Sequence, residues 1–197
     1  MKLSINGILT LSGLTDAEMA SLKSENEWPN PQIQIAENMG RYTAHIPSLV
    51  AVWIEKDGVL FLPRGYLDRL LEQFTPEIID DQRTTAPVDM PPLEGVTYRE
   101  YQQDLLDQAY QHQQGTLTAP TGSGKSIMGM ALIAHHGQRS LILVNSKELA
   151  SQWKREILKW MGIEAGTVGG GKWIEGEEIT VAMLQTLHRN PEKAAEL

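Results

Sequence analysis

"TAPTGSGKS", residues 118–126, is the stretch that decides the fold of the second half of this chain. A short segment with strand character, "GTLTA" (115–119), leads into it, and an apolar helical segment, "SIMGMALIAHH" (126–136), follows it. Gly122 and Gly124 allow the backbone to bend so that successive amides point at one anion. The positive N-terminal end of the following helix faces the same anion. The stretch therefore predicts a phosphate-holding loop between a strand and a helix.

Strand and helix patterns alternate on both sides of this loop, through residues 96–197. In chain order they are a helix in "YREYQQDLLDQAYQHQ" (98–113), a strand in "SLILVN" (140–145), a long helix in "SKELASQWKREILKWM" (146–161), and a strand followed by a turn in "EITVAMLQTL" (178–187). The first helix is amphipathic, and the residues available for burial are Leu105, Leu106, Ala109 and Tyr110. This alternation predicts an α/β fold, with a parallel sheet and helices on both of its faces.

The front of the chain, residues 1–75, has the pattern of a separate small α+β domain. We expect a strand in "KLSINGILTL" (2–11), a helix in "TDAEMASLKS" (15–24), a strand in "PQIQIA" (31–36), a hairpin in "LVAVWIEKDGVLFLP" (49–63) and a closing helix in "RGYLDRLLEQF" (64–74). Thr15 and Glu18 form the capping box of the first helix. Asp57 and Gly58 favour a tight turn in the hairpin.

Residues 76–95 separate the two predicted domains. The segment "PEIIDDQRTTAPVDMPPLE" (76–94) carries four prolines, five acidic residues and one arginine, a composition typical of a linker. Asp80 and Asp81 follow two isoleucines, and we interpret this acidic pair as a solvated turn. The sequence thus predicts domains at 1–75 and 96–197 joined by an acidic, proline-rich linker.

Composition excludes some classes of protein and leaves others open. The chain has no cysteine, so disulfides and thiolate metal sites are excluded, and the sequence is compatible with a cytoplasmic protein. No apolar run approaches the roughly 20 residues that span a membrane. The net charge is −8, but residues 1–95 carry 7 basic and 14 acidic side chains, against 10 and 11 in residues 96–197. A nearly neutral second half can still present a local basic groove, so nucleic acid remains a possible partner.

Several short motifs in the second half resemble those of superfamily 2 helicases. "APTGSGKS" (119–126) is similar to motif I of that family, in which alanine takes the place of the first glycine of the usual phosphate loop. The others occur in family order: "YREYQ" (98–102) resembles the Q-motif region, "NSKELASQW" (145–153) motif Ia, "VGGGK" (168–172) motif Ib and "VAMLQTL" (181–187) motif Ic. The resemblance implies a partial RecA-like domain that uses ATP and Mg²⁺ and contacts DNA.

The motifs assign expected roles to individual residues. Lys125 would contact the β and γ phosphates and Ser126 would help to hold Mg²⁺, so these two are the candidate catalytic residues. The resemblance places Gln102 at the adenine edge and Arg99 near the nucleotide. The remaining candidates for nucleotide contact are Thr121, Gly122, Ser123 and Gly124. The candidates for contact with the DNA backbone are Ser146, Lys147, Gly170, Gln185 and Thr186.

The front domain carries a second resemblance. "NP" (30–31), Gly40 and "LFLPRG" (60–65) are similar to the N-terminal domain of phage UvsW-type and XPB-like helicases, which helps to engage branched or damaged DNA. This resemblance makes Arg41 and Arg64 candidates for DNA contact. An alternative is that Pro63-Arg64-Gly65 only turns the chain into the last helix.

The acidic motif that should face the phosphate loop is missing after "LQTLHRN" (184–190), where only "PEKAAEL" follows. Phosphoryl transfer needs an acidic residue for the metal and the attacking water. We therefore expect an N-terminal piece of an ATP-dependent DNA helicase, whose partner is its missing C-terminal portion and which alone is inactive. Two alternatives remain: a non-enzymatic DNA- or protein-binding module with a residual RecA-like scaffold, and a small-molecule kinase. The kinase is disfavoured by the motif order and by the lack of an arginine-rich lid.

Overall fold

The computed structural model describes residues 1–197, which divide into two compact units, Met1–Thr84 and Thr85–Leu197. None of the helices is both long enough and apolar enough to cross a membrane.

The first unit is built on a five-stranded sheet. Its strands are β1 (Lys2–Ile5), β2 (Ile8–Ser12), β3 (Glu27–Pro29), β4 (Leu49–Ala51), β5 (Ile54–Lys56), β6 (Val59–Pro63) and β7 (Ile78–Asp81), and its helices are α1 (Asp16–Glu25), α2 (Pro31–Asn38) and α3 (Leu67–Gln73). The sheet order is β5-β6-β2-β1-β7, and β3 pairs with β4 separately. All neighbouring strands of the large sheet are antiparallel except β1 and β7, which are parallel.

Alternating residues of the central strands form the core of this unit. The buried set consists of Leu3, Ile5, Leu9, Leu11, Leu22, Leu60, Leu62, Tyr66, Leu67 and Leu70. At the rim of this core, the Glu25 carboxylate accepts hydrogen bonds from Tyr66 Oη (2.8 Å) and Gln73 Nε2 (3.0 Å). Both bonds lower the pKa of the Glu25 carboxyl. Burial and the hydrogen bond to Glu25 raise the pKa of Tyr66 to about 12. A small leucine core and one polar cluster therefore hold α1 and α3 to the sheet.

The sequence prediction for this unit is confirmed in part. Helix α1 begins as expected, because Thr15 accepts from the Glu18 amide and Glu18 accepts from the Thr15 amide. The hairpin between β5 and β6 turns at Asp57 and Gly58, both with positive φ. A single turn of 3-10 helix (Arg64–Tyr66) leads into α3, as predicted for the closing helix.

Two predictions for this unit are wrong. "PQIQIA" is not a strand but lies in α2, because the Asn30 side chain caps the Gln32 amide (3.0 Å) and Pro31 occupies the first helical position. The expected single strand "KLSINGILTL" is a hairpin of β1 and β2, since Asn6-Gly7 forms a turn between them.

Residues 76–95 differ from the expected linker. Ile78–Asp81 form β7, which pairs in parallel with β1, so Asp80 and Asp81 belong to a strand and not to a turn. Further along, the Val88 amide donates to Gly137 O (3.0 Å) and the Glu94 amide to Trp160 O (2.8 Å), both within the second unit. The segment is therefore ordered by backbone hydrogen bonds, to β1 at its start and to residues of the second unit further along, although its composition is that of a linker.

The second unit has the predicted α/β architecture. Its strands are β8 (Ser140–Val144), β9 (Gly166–Gly169), β10 (Lys172–Ile174) and β11 (Ile179–Met183), and its helices are α4 (Glu100–Ala109), α5 (Lys125–His136), α6 (Lys147–Met161), α7 (Leu184–Arg189) and α8 (Pro191–Ala194). In the sheet, of order β10-β9-β11-β8, β11 is parallel to both β8 and β9, and β10 is antiparallel to β9. Helix α6 packs on this sheet through Ile157 and Met161, which join Val144, Ile179 and Val181 in the core. The fold class predicted from the sequence, an α/β domain with parallel strands, is confirmed.

The predicted strand "GTLTA" is absent. Residues 115–119 have no strand partner, and none of their amides donates a backbone hydrogen bond. Leu117 and Ala119 pack instead against a second small core formed by Leu106, Met128 and Ala131. The packing of these two side chains and a hydrogen bond from Lys125 Nζ to Ala119 O (2.9 Å) therefore hold the segment that leads into the loop.

Candidate nucleotide-binding and strand-contact site

The loop Thr118–Ser126 joins the segment 115–119 to helix α5. Gly122 and Gly124 have φ values of 81° and 82°, a region that residues with a side chain rarely adopt. Gly124 is the N-cap of α5, and the amides of Lys125 and Ser126 open its first turn. The amides of Gly122, Gly124, Lys125 and Ser126 have no hydrogen-bond acceptor. This geometry provides a concave set of free donors at a helix N-terminus, which suits an anion.

The side chains of the loop add one cation and four hydroxyls, those of Thr118, Thr121, Ser123 and Ser126. Lys125 Nζ lies across the loop and donates to Ala119 O (2.9 Å) and Pro120 O (2.8 Å). Ser123 Oγ is buried and has no partner. Ser126 is partly buried in the first turn of α5, one residue beyond Lys125. An ammonium held across a loop that also carries free backbone amides suits a polyphosphate, and the Ser126 hydroxyl is a suitable oxygen ligand for Mg²⁺.

Three residues of the Q-motif region support the loop from α4. Gln102, 7% exposed, donates through Nε2 to Ser123 O (2.8 Å) and accepts through Oε1 from the Arg99 amide (2.9 Å). Tyr101 Oη also donates to Ser123 O (3.0 Å), and Arg99 Nη1 donates to Tyr101 Oη (3.3 Å). Both ends of the Gln102 amide are therefore bound to protein, and this side chain fixes the loop. The contact of Gln102 with adenine stays a prediction.

The expected DNA-contact residues come together at one edge of the sheet. Ser146 follows β8, Gly170 follows β9, and Gln185 and Thr186 follow β11, so all four lie at the carboxyl ends of parallel strands. Gln185 Nε2 donates to Asn145 O (2.9 Å), which ties the end of β11 to the end of β8. We call this the carboxyl edge. Its hydroxyl, amide and glycine groups suit contacts with a sugar-phosphate backbone.

Helix α6 begins at this edge. Ser146 Oγ accepts from the Leu149 amide (3.2 Å) and caps the helix, and Lys147 is exposed in its first turn. The Glu148 amide and the Ser146 hydroxyl lower the pKa of the Glu148 carboxyl. Near neutral pH, a carboxylate therefore lies beside the candidate contact residues at this helix N-terminus.

Arg41 and Arg64 are not brought together by the first unit. Arg41 follows α2, is exposed, and lines a shallow cavity of about 240 Å³ with Tyr42 and His45. Arg64 is exposed at the start of the 3-10 turn, where its carbonyl accepts from the Leu67 amide. Their role in DNA contact stays a prediction.

Sequence reasoning missed Tyr101 as a second hydrogen-bond donor to the loop. The signal was present, because Tyr101 precedes Gln102 in "YREYQ", but a helix start alone does not reveal which carbonyl a phenol reaches. It also passed over the direct bond between Gln185 and Asn145. This bond joins residues 40 positions apart and has no local sequence signature.

A parallel α/β unit with an amide-lined loop at the start of α5 and polar strand ends on its carboxyl edge is the architecture of a superfamily 2 helicase motor. The comparison with known families agrees: residues 95–197, just over half of the chain, match the family described as "Type III restriction enzyme, res subunit". The chain belongs to this family.

Its relatives include proteins named as helicases. The chain is 27% identical over 156 residues to "Probable helicase D10" of Escherichia phage T5, a match that covers 75% of this chain and 34% of that protein. It is 36% identical over 92 residues to "Putative DNA 3'-5' helicase Rad25" of Halobacterium salinarum, covering 45% and 15%. It is 32% identical over 98 residues to "DNA 3'-5' helicase XPB" of Mycobacterium tuberculosis, covering 49% and 18%. The matched parts thus span about a third or less of these relatives.

Proposed function

We propose that this chain supplies the nucleotide-binding and strand-contacting part of an ATP-dependent DNA helicase or translocase that acts on branched or duplex DNA. The observation that carries the proposal is the loop itself, which combines backbone amides without acceptors at the N-terminus of α5 with the Lys125 ammonium held across the loop. The helicase relatives support the choice of DNA as the polymer. The phage relative supports a location in the cytoplasm of a host cell.

In this proposal each group of residues has one task. The loop amides and Lys125 bind the β and γ phosphates, and Ser126 helps to hold Mg²⁺, which neutralises phosphate charge when bound. Gln102 and Tyr101 keep the loop in shape through Ser123 O. The carboxyl edge holds the DNA backbone without contacting base edges, as movement along any sequence requires. An acidic residue for the attacking water would come from the rest of the motor.

Nucleotide binding by the purified chain tests the proposal. A fluorescent ATP analogue with Mg²⁺ should bind, and Lys125→Ala should weaken binding at least about tenfold, because a hydrogen bond to a charged group contributes about 1.5–3 kcal/mol. Lys159→Ala, which removes the same charge from α6, is the control and should bind normally. Equal binding by Lys125→Ala and the unmodified chain would contradict the proposal and favour a non-enzymatic module.

Hydrolysis gives a second, independent measurement. We expect the 197-residue chain alone to hydrolyse ATP at no useful rate, with or without DNA. DNA-stimulated hydrolysis that is abolished by Lys125→Ala would refute the view that further residues are required. For the DNA structure, a branched junction should compete for the chain better than a single strand of the same length.

A further inference from the structure

A cavity of about 470 Å³ lies at the outer end of the second unit's sheet, between α6 and the β9–β10 hairpin. Lys154 and Arg155 line it from α6, and Lys172 lines it from β10. We call this cavity the basic groove. Its three cations belong neither to the nucleotide loop nor to the carboxyl edge.

The cations of the basic groove are not neutralised by carboxylates. None of the three takes part in an ion pair, and Arg155 and Lys172 are exposed. Two acids also line the groove, but Glu175 is bound to Arg139 (2.8 Å), which leaves Glu164. The groove therefore carries a net positive charge within a unit whose acids slightly outnumber its bases. Unpaired cations around one concavity are the pattern expected of an anion site.

The groove approaches the carboxyl edge at Lys172. In the β9–β10 hairpin, Lys172 pairs directly with Gly169, so its side chain starts beside the glycine turn that closes β9. Lys154 Nζ donates to Thr167 Oγ1 (2.6 Å), three residues before that turn, which consists of Gly170 and Gly171. This bond holds the Lys154 ammonium at the wall of the groove. A polyanion that passes over the glycine turn would meet Lys172 first and then the two cations of α6.

The lining also argues for an extended strand over a small anion. Leu158 is 51% exposed and Ile174 57% exposed, and both line the groove beside the cations. Exposed apolar side chains next to unpaired cations suit a polymer that alternates charged phosphates with apolar sugar and base faces. A free phosphate would leave these side chains in water.

We propose that the basic groove binds the phosphates of the DNA strand that runs along the carboxyl edge and extends its path beyond the glycine turn. The inference rests on the proposed function, since it needs DNA at that edge. Lys172 and Arg155 contact phosphates directly, and Lys154 contributes charge from its fixed position on Thr167. Binding here is independent of base sequence, because both direct contacts go to the backbone.

The salt dependence of DNA binding tests the inference. Fluorescence anisotropy of a labelled single strand of about 20 nucleotides would be measured with the full chain between about 50 and 300 mM salt. Each phosphate contact contributes about 0.7 to the slope of log K against log salt for a single strand. Arg155→Ala and Lys172→Ala should each lower the slope by about 0.7, and the double variant should lower it by about 1.4. Lys172→Glu should weaken binding further.

Lys159→Ala is the matched control, because it removes one charge from the same helix as Arg155 but outside the groove. It should leave the slope unchanged. If the groove variants also leave it unchanged, while Thr186→Ala at the carboxyl edge weakens binding, the inference fails and the proposed function stands. If the unmodified chain does not bind DNA at the lowest salt, both fail. Circular dichroism of each variant checks that a change in DNA binding does not come from unfolding. A folded groove variant with an unchanged slope overturns the inference.

Discussion

The two units use their charged side chains in different ways. The first unit has seven lysines and arginines, and it contains four of the five ion pairs: Lys23 with Glu55, Arg69 with Glu25, Arg83 with Asp81, and the amino terminus with Glu77. The second unit has ten lysines and arginines but only the pair of Arg139 with Glu175. Three of the seven lysines and arginines of the first unit form ion pairs, against one of the ten in the second, so the second unit leaves more cations available to an external anion.

The placement of apolar residues does not divide the two units in this way. In the first unit, leucines of three adjacent strands are fully buried against α1 and α3. In the second unit the core lies between α6 and the sheet, and the other face of β8 leaves Leu141 and Leu143 exposed by 41% and 49%. The first unit also exposes large apolar side chains, such as Trp28 (50%) and Ile54 (63%), so the two units differ in how their cations are paired and not in whether they expose apolar residues.

The largest effect should come from the leucine core of the first unit. Leu60 and Glu55 are cross-strand neighbours, but Leu60 is fully buried and Glu55 makes an exposed ion pair. Leu60→Ala should lower the free energy of unfolding of this unit by about 3 kcal/mol, because a buried leucine is removed and a cavity remains. Glu55→Gln should cost less than about 1 kcal/mol, as exposed ion pairs do. Urea unfolding of both variants measures the difference between their free energies of unfolding. Similar losses in the two variants would contradict the view that the leucine core contributes more to stability than the exposed ion pair.

The next largest effect should come from glycine substitutions in the phosphate loop of the second unit, measured as binding of the ATP analogue. A Cβ on Gly124 would lie 2.5 Å from Gln102 Nε2, whereas a Cβ on Gly122 would meet nothing within 4 Å. Both glycines have positive φ, so alanine at either position carries a backbone strain of about 1–2 kcal/mol. Gly124→Ala should therefore weaken binding of the ATP analogue by about tenfold more than Gly122→Ala, since it also displaces Gln102.

A double variant sharpens this test. Gly124→Ala combined with Gln102→Ala removes the steric conflict and should recover part of the lost affinity relative to Gly124→Ala alone. Equal effects of the two single glycine substitutions would show that the contact with Gln102 is irrelevant to the loop.

The sequence was sufficient for features set by local chemistry. The capping box at Thr15 and the turn at Asp57-Gly58 each involve residues within four positions of each other, and both were predicted. The phosphate loop was predicted for the same reason, because its glycines and the start of α5 are contiguous. The parallel sheet followed from the alternation of strands and helices.

Features set by distant pairing could not be predicted. Strand β7 forms because β1, 76 residues earlier, offers an open edge, and its composition alone indicated a linker. The segment 115–119 has residues typical of a strand but no neighbouring strand to pair with, so its sequence predicted a strand that the structure does not contain. Helix α2 was missed for a local reason, since Asn30-Pro31 was a readable helix start that the alternating isoleucines obscured.

The smallest effects should come from the two helix caps, one in each unit. Thr15→Ala and Ser146→Ala should each cost about 1 kcal/mol of stability, because each hydroxyl accepts from a backbone amide in the first turn of its helix. Only Ser146→Ala should also weaken DNA binding in the anisotropy assay. Ser146→Asp should preserve the cap but still weaken DNA binding, because its charge repels phosphate. A DNA defect in Thr15→Ala would remove the functional distinction between the caps.

The hydrogen bond from Gln185 to Asn145 O has a mechanical consequence. It fastens the segment that leaves β11 to the segment that leaves β8, so the two cannot shift independently without losing it. If a DNA strand contacts both segments, as we propose, this hydrogen bond couples the two contacts. A movement of one segment would then move the other, and both DNA contacts would shift together.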